Sequence, residues 1–145
     1  MPKSTSYLID ANLWLALSAA RHEHHPRAST WFQTLGEGQA ILCRVAEMGL
    51  LRLVTNPSVM KEDTLDCLQG WAMGRKLRSD HRVIFRNEPS ELEEHWHRLM
   101  REHPAGHHTW MDAYLAAFAQ GYGATLATFD RAFLKWKVPD VLLVS

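Results

Sequence analysis

Five short apolar runs, each followed by a stretch of different periodicity, constrain the fold of this chain most. They are Tyr7–Ile9, Ala40–Leu42, Val83–Phe85, 124–128 and 141–144. The stretches between them read as helices at 11–20, about 26–35, 43–54, near 58–60, 64–77, 90 to about 100, and 109–120. Local signals mark their ends. Pro26 suits a first helical turn, Asn56-Pro57 stops the third helix, and Gly121 ends the last one. Ser90 and Glu93 have the spacing of a capping box. Short strands alternating with helices form βαβ units, which predicts an α/β chain with a parallel sheet of about five strands flanked by helices. In such sheets the crossovers are right-handed, and ligands bind beyond the carboxyl ends of the strands.

A length of 145 residues fits one domain over 1–145. The 46% hydrophobic and 22% charged fractions exclude a disordered or coiled-coil chain. No run of 18 apolar residues is present, and residues 1–6 lack the apolar core of a signal peptide, so a cytoplasmic protein without a membrane segment is expected. Cys43 and Cys67 show no paired spacing and are expected to be reduced. Sixteen basic residues balance sixteen acidic ones. Zero net charge argues against a bulk electrostatic nucleic-acid coat, but it does not exclude a local patch.

The strand-end rule selects Asp10, directly after the first run, and Asp130, just after the fourth. Either would also serve as a plain helix N-cap. Glu47 is aligned with Leu50, Leu51 and Val54 on the apolar stripe of its helix, where an unpaired carboxylate is costly. It needs an arginine, a cation or a proton, and Arg44 stands one turn away. Asp112 is likewise aligned with Leu115, Ala116 and Ala119, although an acid in a first turn is also favoured by the helix dipole. Four carboxylates gathered together repel one another unless cations sit among them. An all-oxygen set suits Mg2+ or Mn2+, ions used to activate water for attack at phosphorus.

Four segments in this order resemble PIN domains: Leu8-Ile9-Asp10-Ala11-Asn12, Arg44-Val45-Ala46-Glu47, Trp110-Met111-Asp112-Ala113-Tyr114, and Ala127-Thr128-Phe129-Asp130-Arg131. The nearest subgroup is the VapC-type toxins of bacterial toxin–antitoxin pairs. The resemblance implies a three-layer PIN-like fold and metal-dependent endoribonuclease activity on an RNA substrate. It also implies a homodimer and a VapB-type antitoxin partner. It gives Asp10, Glu47, Asp112 and Asp130 as catalytic and metal-binding residues, with Asn12 and Thr128 supporting them by hydrogen bonds.

Beyond the motifs, residues 75–86 hold Arg75, Lys76, Arg78, Arg82 and Arg86 against one acid, Asp80. Arg78, Arg82 and, beside Asp130, Arg131 are candidate phosphate contacts, although the run also suits a solvated helix end. Trp14, Trp31, Trp71 and Trp110 are expected in the core or at an interface, and Trp136, between two lysines, is expected to be exposed. His22, Glu23, His24 and His25 do not form the H-E-x-x-H zinc motif. His108 lies four residues before Asp112, within reach of a shared ligand, although solvent exposure at a helix end is the expectation for these histidines. Three other functions compete with the nuclease. A phosphoacceptor domain needs a second acid at the first strand end. A histidine-based zinc hydrolase would need a metal motif that these histidines lack. A catalytically inactive scaffold acting through partner binding is disfavoured by the presence of all four acids.

Overall fold

The computed structural model describes residues 5–145. Five parallel strands, β1 (Tyr7–Ile9), β2 (Ala40–Leu42), β3 (Val83–Phe85), β4 (Thr125–Thr128) and β5 (Val141–Leu143), form one sheet in the order β3-β2-β1-β4-β5. The register sets Leu8 beside Ile41 and Leu126, and Leu42 beside Phe85. Leu8, Ile9, Leu42 and Leu126 have no appreciable exposure, which is why these strands are apolar without alternation.

The helices are α1 (Ala11–Ser18), α2 (His25–Phe32), α3 (Arg44–Val54), α4 (Pro57–Met60), α5 (Cys67–Ser79), α6 (Leu92–Glu102) and α7 (Thr109–Gly121). Strand order reverses direction between β1 and β4. Right-handed crossovers therefore put the helices that join β1, β2 and β3 on one face and the α6–α7 pair on the other, giving three layers. The core lies between them, with Trp14 of α1, Leu50 of α3 and Phe118 of α7 almost fully buried. α1 and α3 approach so closely that a Cβ on Gly49 would lie 2.8 Å from that of Ala11. Both cysteines are free thiols, Cys43 buried and Cys67 exposed, as expected. Among the described residues no helix is long and apolar enough to cross a membrane.

Several local expectations are corrected. α5 begins at Cys67 rather than Thr64, because the Leu65 N–H donates to the Val54 carbonyl and holds the chain extended up to Asp66. There a capping box forms, with the Asp66 side chain accepting from the Gln69 N–H and the Gln69 side chain accepting from the Asp66 N–H. Ser90 and Glu93 do not form one. α6 starts at Leu92 with Glu91 as its cap and no side-chain bond, and the entry turn is closed by the Leu92 N–H on the Pro89 carbonyl.

Among the aromatics, Trp14 is buried and Trp31 half-buried. Trp136, expected outside, is only 4% exposed. The 3₁₀ turn Arg131–Lys135 carries it inward, where the His103 ring packs edge-on against it at 5.2 Å. Trp71 and Trp110 are 56% and 60% exposed, so the core does not hold them. They lie on outer helix faces, Trp71 beneath the Arg75 guanidinium and Trp110 edge-on to Trp96.

Candidate metal and nucleic-acid site

Thr128 ties the ends of β1 and β4 together where the strand order reverses. Its buried hydroxyl donates to Asp10 Oδ2 at 2.5 Å and accepts the Asp130 N–H at 2.9 Å. One side chain thus bonds to two of the predicted acids. Asp10 leaves β1 with extended backbone and caps α1, its Oδ1 accepting the Leu13 N–H at 3.0 Å. Asp130 caps the Arg131–Lys135 turn through the Ala132 N–H. Asp112 stands half-buried in the first turn of α7, reaching the same edge from the other layer.

Asp10 senses the charges of the other two acids, and Asp112 that of Asp130. Burial pushes the Asp10 carboxyl up from 3.8 to about 6, and the charges of Asp130 and Asp112 add to the rise, against the lowering hydrogen bonds from Thr128 and Leu13. Burial also raises the Asp112 carboxyl, with Asp130 raising it further and Lys135 and His108 opposing. His108 itself is exposed. Lys135 was missed in the sequence, because only the 3₁₀ turn returns it toward α7.

Glu47 has different company. In the first turn of α3 and 5% exposed, it accepts from Arg44 Nη1 at 2.6 Å, and from Arg78 Nε and Nη2 at 2.8 Å each. Burial pushes its carboxyl up, but the hydrogen bonds and charges of Arg78 and Arg44 more than reverse this and hold it below the usual range. Arg44 was expected as a partner; Arg78, 31 residues away, was not. Arg82 forms a fork on Asp80, with bonds of 2.9 and 2.7 Å, and lies over the Phe32 ring. Arg131 is exposed beside Asp130. Asn12 lies on the outer face of α1, where it lines a cleft with Gly49 and Asn56; no hydrogen bond joins it to Asp10. The histidine-rich turn borders the site through Phe129, whose ring meets His24 at 5.1 Å and the Arg27 guanidinium at 4.7 Å.

The four expected carboxylates are not gathered together: among the described residues no three His, Cys, Asp or Glu side chains stand close enough to hold a metal ion between them. The donor chemistry of Asp10, Asp112 and Asp130 nevertheless fits a hard cation. It is an all-oxygen set in which burial first, and neighbouring negative charge second, raises two of the pKa values, and positive charge would relieve both. No arginine is bonded to any of the three, in contrast to Glu47. Two clefts of about 500 and 540 Å³ lie between the end of α1 and the segment around Met60–Asp63, and Asp10, Asp112 and Asp130 line neither. The acidic centre is an open sheet edge, better suited to a polymer than to an enclosed small molecule.

Known proteins share this fold. Residues 7–138 match the PIN domain family. Ribonuclease VapC41 of Mycobacterium tuberculosis is 38% identical over 144 residues, covering 95% of this chain and 98% of that protein. Among solved structures, M. tuberculosis VapC20, described as a sarcin–ricin loop cleaving toxin, superposes with a TM-score of 0.68 at 17% identity over 90% of this chain and 94% of its own. VapBC2 from Rickettsia felis, bound to a DNA fragment from its promoter, gives 0.68 at 12% identity over 95% and 98%.

Proposed function

The chain belongs to the PIN-domain family, and from that premise we propose that it is a metal-dependent endoribonuclease, the toxin of a VapBC-type pair. The observation that carries this reading is the Thr128 bridge. It bonds Asp10 and Asp130 at the strand ends, and the buried Asp10 carboxyl, which also senses the charges of Asp130 and Asp112, would be relieved by a cation.

Asp10, Asp112 and Asp130 hold Mg2+ or Mn2+ in this reading. An ion held there would supply the positive charge that polarises a phosphoryl oxygen and lowers the pKa of a water for attack on an RNA phosphodiester. The protein prepares this centre. The Leu13 N–H and the Thr128 hydroxyl each fix one Asp10 oxygen, so its carboxylate does not reorganise during the reaction. One of these carboxylates accepts the proton of the attacking water. Lys135 brings positive charge next to Asp112, where the phosphate would lie. Arg131 and Arg78 are the candidate contacts for flanking phosphates. Arg82 is a third candidate, its Nε and Nη2 donors engaged by Asp80 as those of Arg78 are by Glu47.

A VapB-type antitoxin partner, a homodimer and a cytoplasmic location complete the reading. Support for the antitoxin is that solved relatives of the same fold are toxin–antitoxin complexes. The test is incubation of the purified chain with end-labelled RNA. Discrete fragments should appear with Mg2+ or Mn2+ and disappear with EDTA. Expression of the active chain alone should arrest growth, and co-expression of its antitoxin should restore it.

A further inference from the structure

We infer that Glu47 is a positioning residue that holds Arg44 and Arg78 as a paired guanidinium site for an RNA phosphate, and that it does not ligate the cation. This rests on the ribonuclease reading and assigns Glu47 a role different from that of the three aspartates.

Both Glu47 oxygens are already taken. Oε1 accepts from Arg44 and from Arg78 Nη2, and Oε2 accepts from Arg78 Nε. A carboxylate accepting a bidentate guanidinium plus a third charged donor has little left to offer an ion. The two guanidiniums also share one aromatic ring. The Arg78 carbon lies 3.9 Å and the Arg44 carbon 4.9 Å from the centre of Phe85, at the end of β3. Ring and carboxylate together fix both planes.

Charge points the same way. Two guanidiniums against one carboxylate leave an excess positive charge. Each guanidinium has five N–H donors, of which Glu47 uses one from Arg44 and two from Arg78. The Arg44 side chain is 61% exposed, so its remaining donors face solvent. A planar fork held in this way matches phosphate geometry better than a lysine would.

The site also lies where a substrate would pass. Arg44 follows β2 and Phe85 ends β3, while Asp10 and Asp130 follow β1 and β4. In the order β3-β2-β1-β4-β5 these all stand at one carboxyl edge, with the arginine pair adjoining the aspartates. An RNA strand laid across that edge meets the aspartates and then the arginines.

Two titrations on Arg78→Ala and Glu47→Gln test the inference. Mg2+ binding is followed by calorimetry. Binding of a labelled single-stranded RNA is followed by anisotropy in EDTA across a salt series. Both variants should keep Mg2+ affinity to within tenfold of the native protein. Both should weaken RNA binding by at least about tenfold, the loss expected of a charged fork contact. Arg78→Ala should also make the salt slope shallower by about 0.7. A tenfold or greater gain in Mg2+ affinity in Arg78→Ala would show that Arg78 competes for a metal ligand and would overturn the inference. So would a tenfold or greater Mg2+ loss in Glu47→Gln, or an unchanged RNA slope in Arg78→Ala. If Glu47→Gln fails to fold, Arg78→Ala decides alone, since it leaves Glu47 paired with Arg44. A native protein that binds RNA through Arg78 yet neither binds Mg2+ nor cleaves would sink the ribonuclease reading and leave the arginine site standing.

Discussion

Replacing Asp10 with Asn should stabilise the metal-free protein while destroying its response to Mg2+. The Asp10 carboxyl is 5% exposed and raised from 3.8 to about 6, so its charged form is disfavoured in the fold. Because the folded pKa lies above the unfolded one, the neutral form favours folding. That contribution is complete below pH 3.8 and lost as pH rises through about 6. Above pH 7 the ionised group costs the metal-free fold about 3 kcal/mol, from the rise of 3.8 to about 6. Asn remains a good N-cap, its amide oxygen accepting the Leu13 N–H, but the amide nitrogen that replaces Oδ2 cannot accept the Thr128 hydroxyl. A net gain of about 1–2 kcal/mol is expected, or roughly 2–8 °C in Tm for a chain of this size. Thermal unfolding at pH 8 in EDTA and again in excess Mg2+ reads both effects. The native protein should gain about 2.7 kcal/mol at a hundredfold excess of Mg2+ over Kd, and Asp10→Asn almost nothing. An Asp10→Asn protein less stable than native in EDTA, or still stabilised by Mg2+, refutes the electrostatic argument.

Other predictions follow from the packing around the site. Thr128→Val removes the hydroxyl that joins Asp10 to Asp130, and should cost about 1–3 kcal/mol in urea unfolding together with most of the cleavage rate, whereas Thr128→Ser should retain both. Gly49→Ala forces a Cβ to within 2.8 Å of Ala11, and chemical denaturation should show a loss of about 1–3 kcal/mol. Trp136→Ala should cost about 3–5 kcal/mol, in keeping with its burial, while Trp110→Ala should cost well under that; equal effects would contradict the placement of the two rings.

Sheet and site differ in how far they could be read from the chain. Strands such as Tyr7–Ile9 and Ala40–Leu42 are legible because burial on both faces requires uninterrupted apolar residues. Asp10 and Asp130 are legible because strand ends are where α/β sheets place ligands. Glu47 stood out as an acid on an apolar stripe, and the need for a partner was correct. The identity of Arg78 as that partner was not visible, since it depends on α5 packing against α3. The same pairing revises the basic stretch at 75–86. Arg78 and Arg82 look like unspent charge in one dimension, but Glu47 and Asp80 hold them in the fold. Trp136 was misread because flanking lysines suggest exposure, whereas the preceding 3₁₀ turn determines which way the ring faces.

Single-turnover cleavage of an end-labelled RNA across a Mg2+ titration, comparing the native chain with Asp112→Asn, tests the central claim most directly. The account predicts saturable, EDTA-sensitive cleavage by the native protein, and a loss of at least about a hundredfold in the folded variant at every Mg2+ concentration. Cleavage by the native chain that persists unchanged in EDTA, or a folded Asp112→Asn protein that cuts at the native rate, would contradict it.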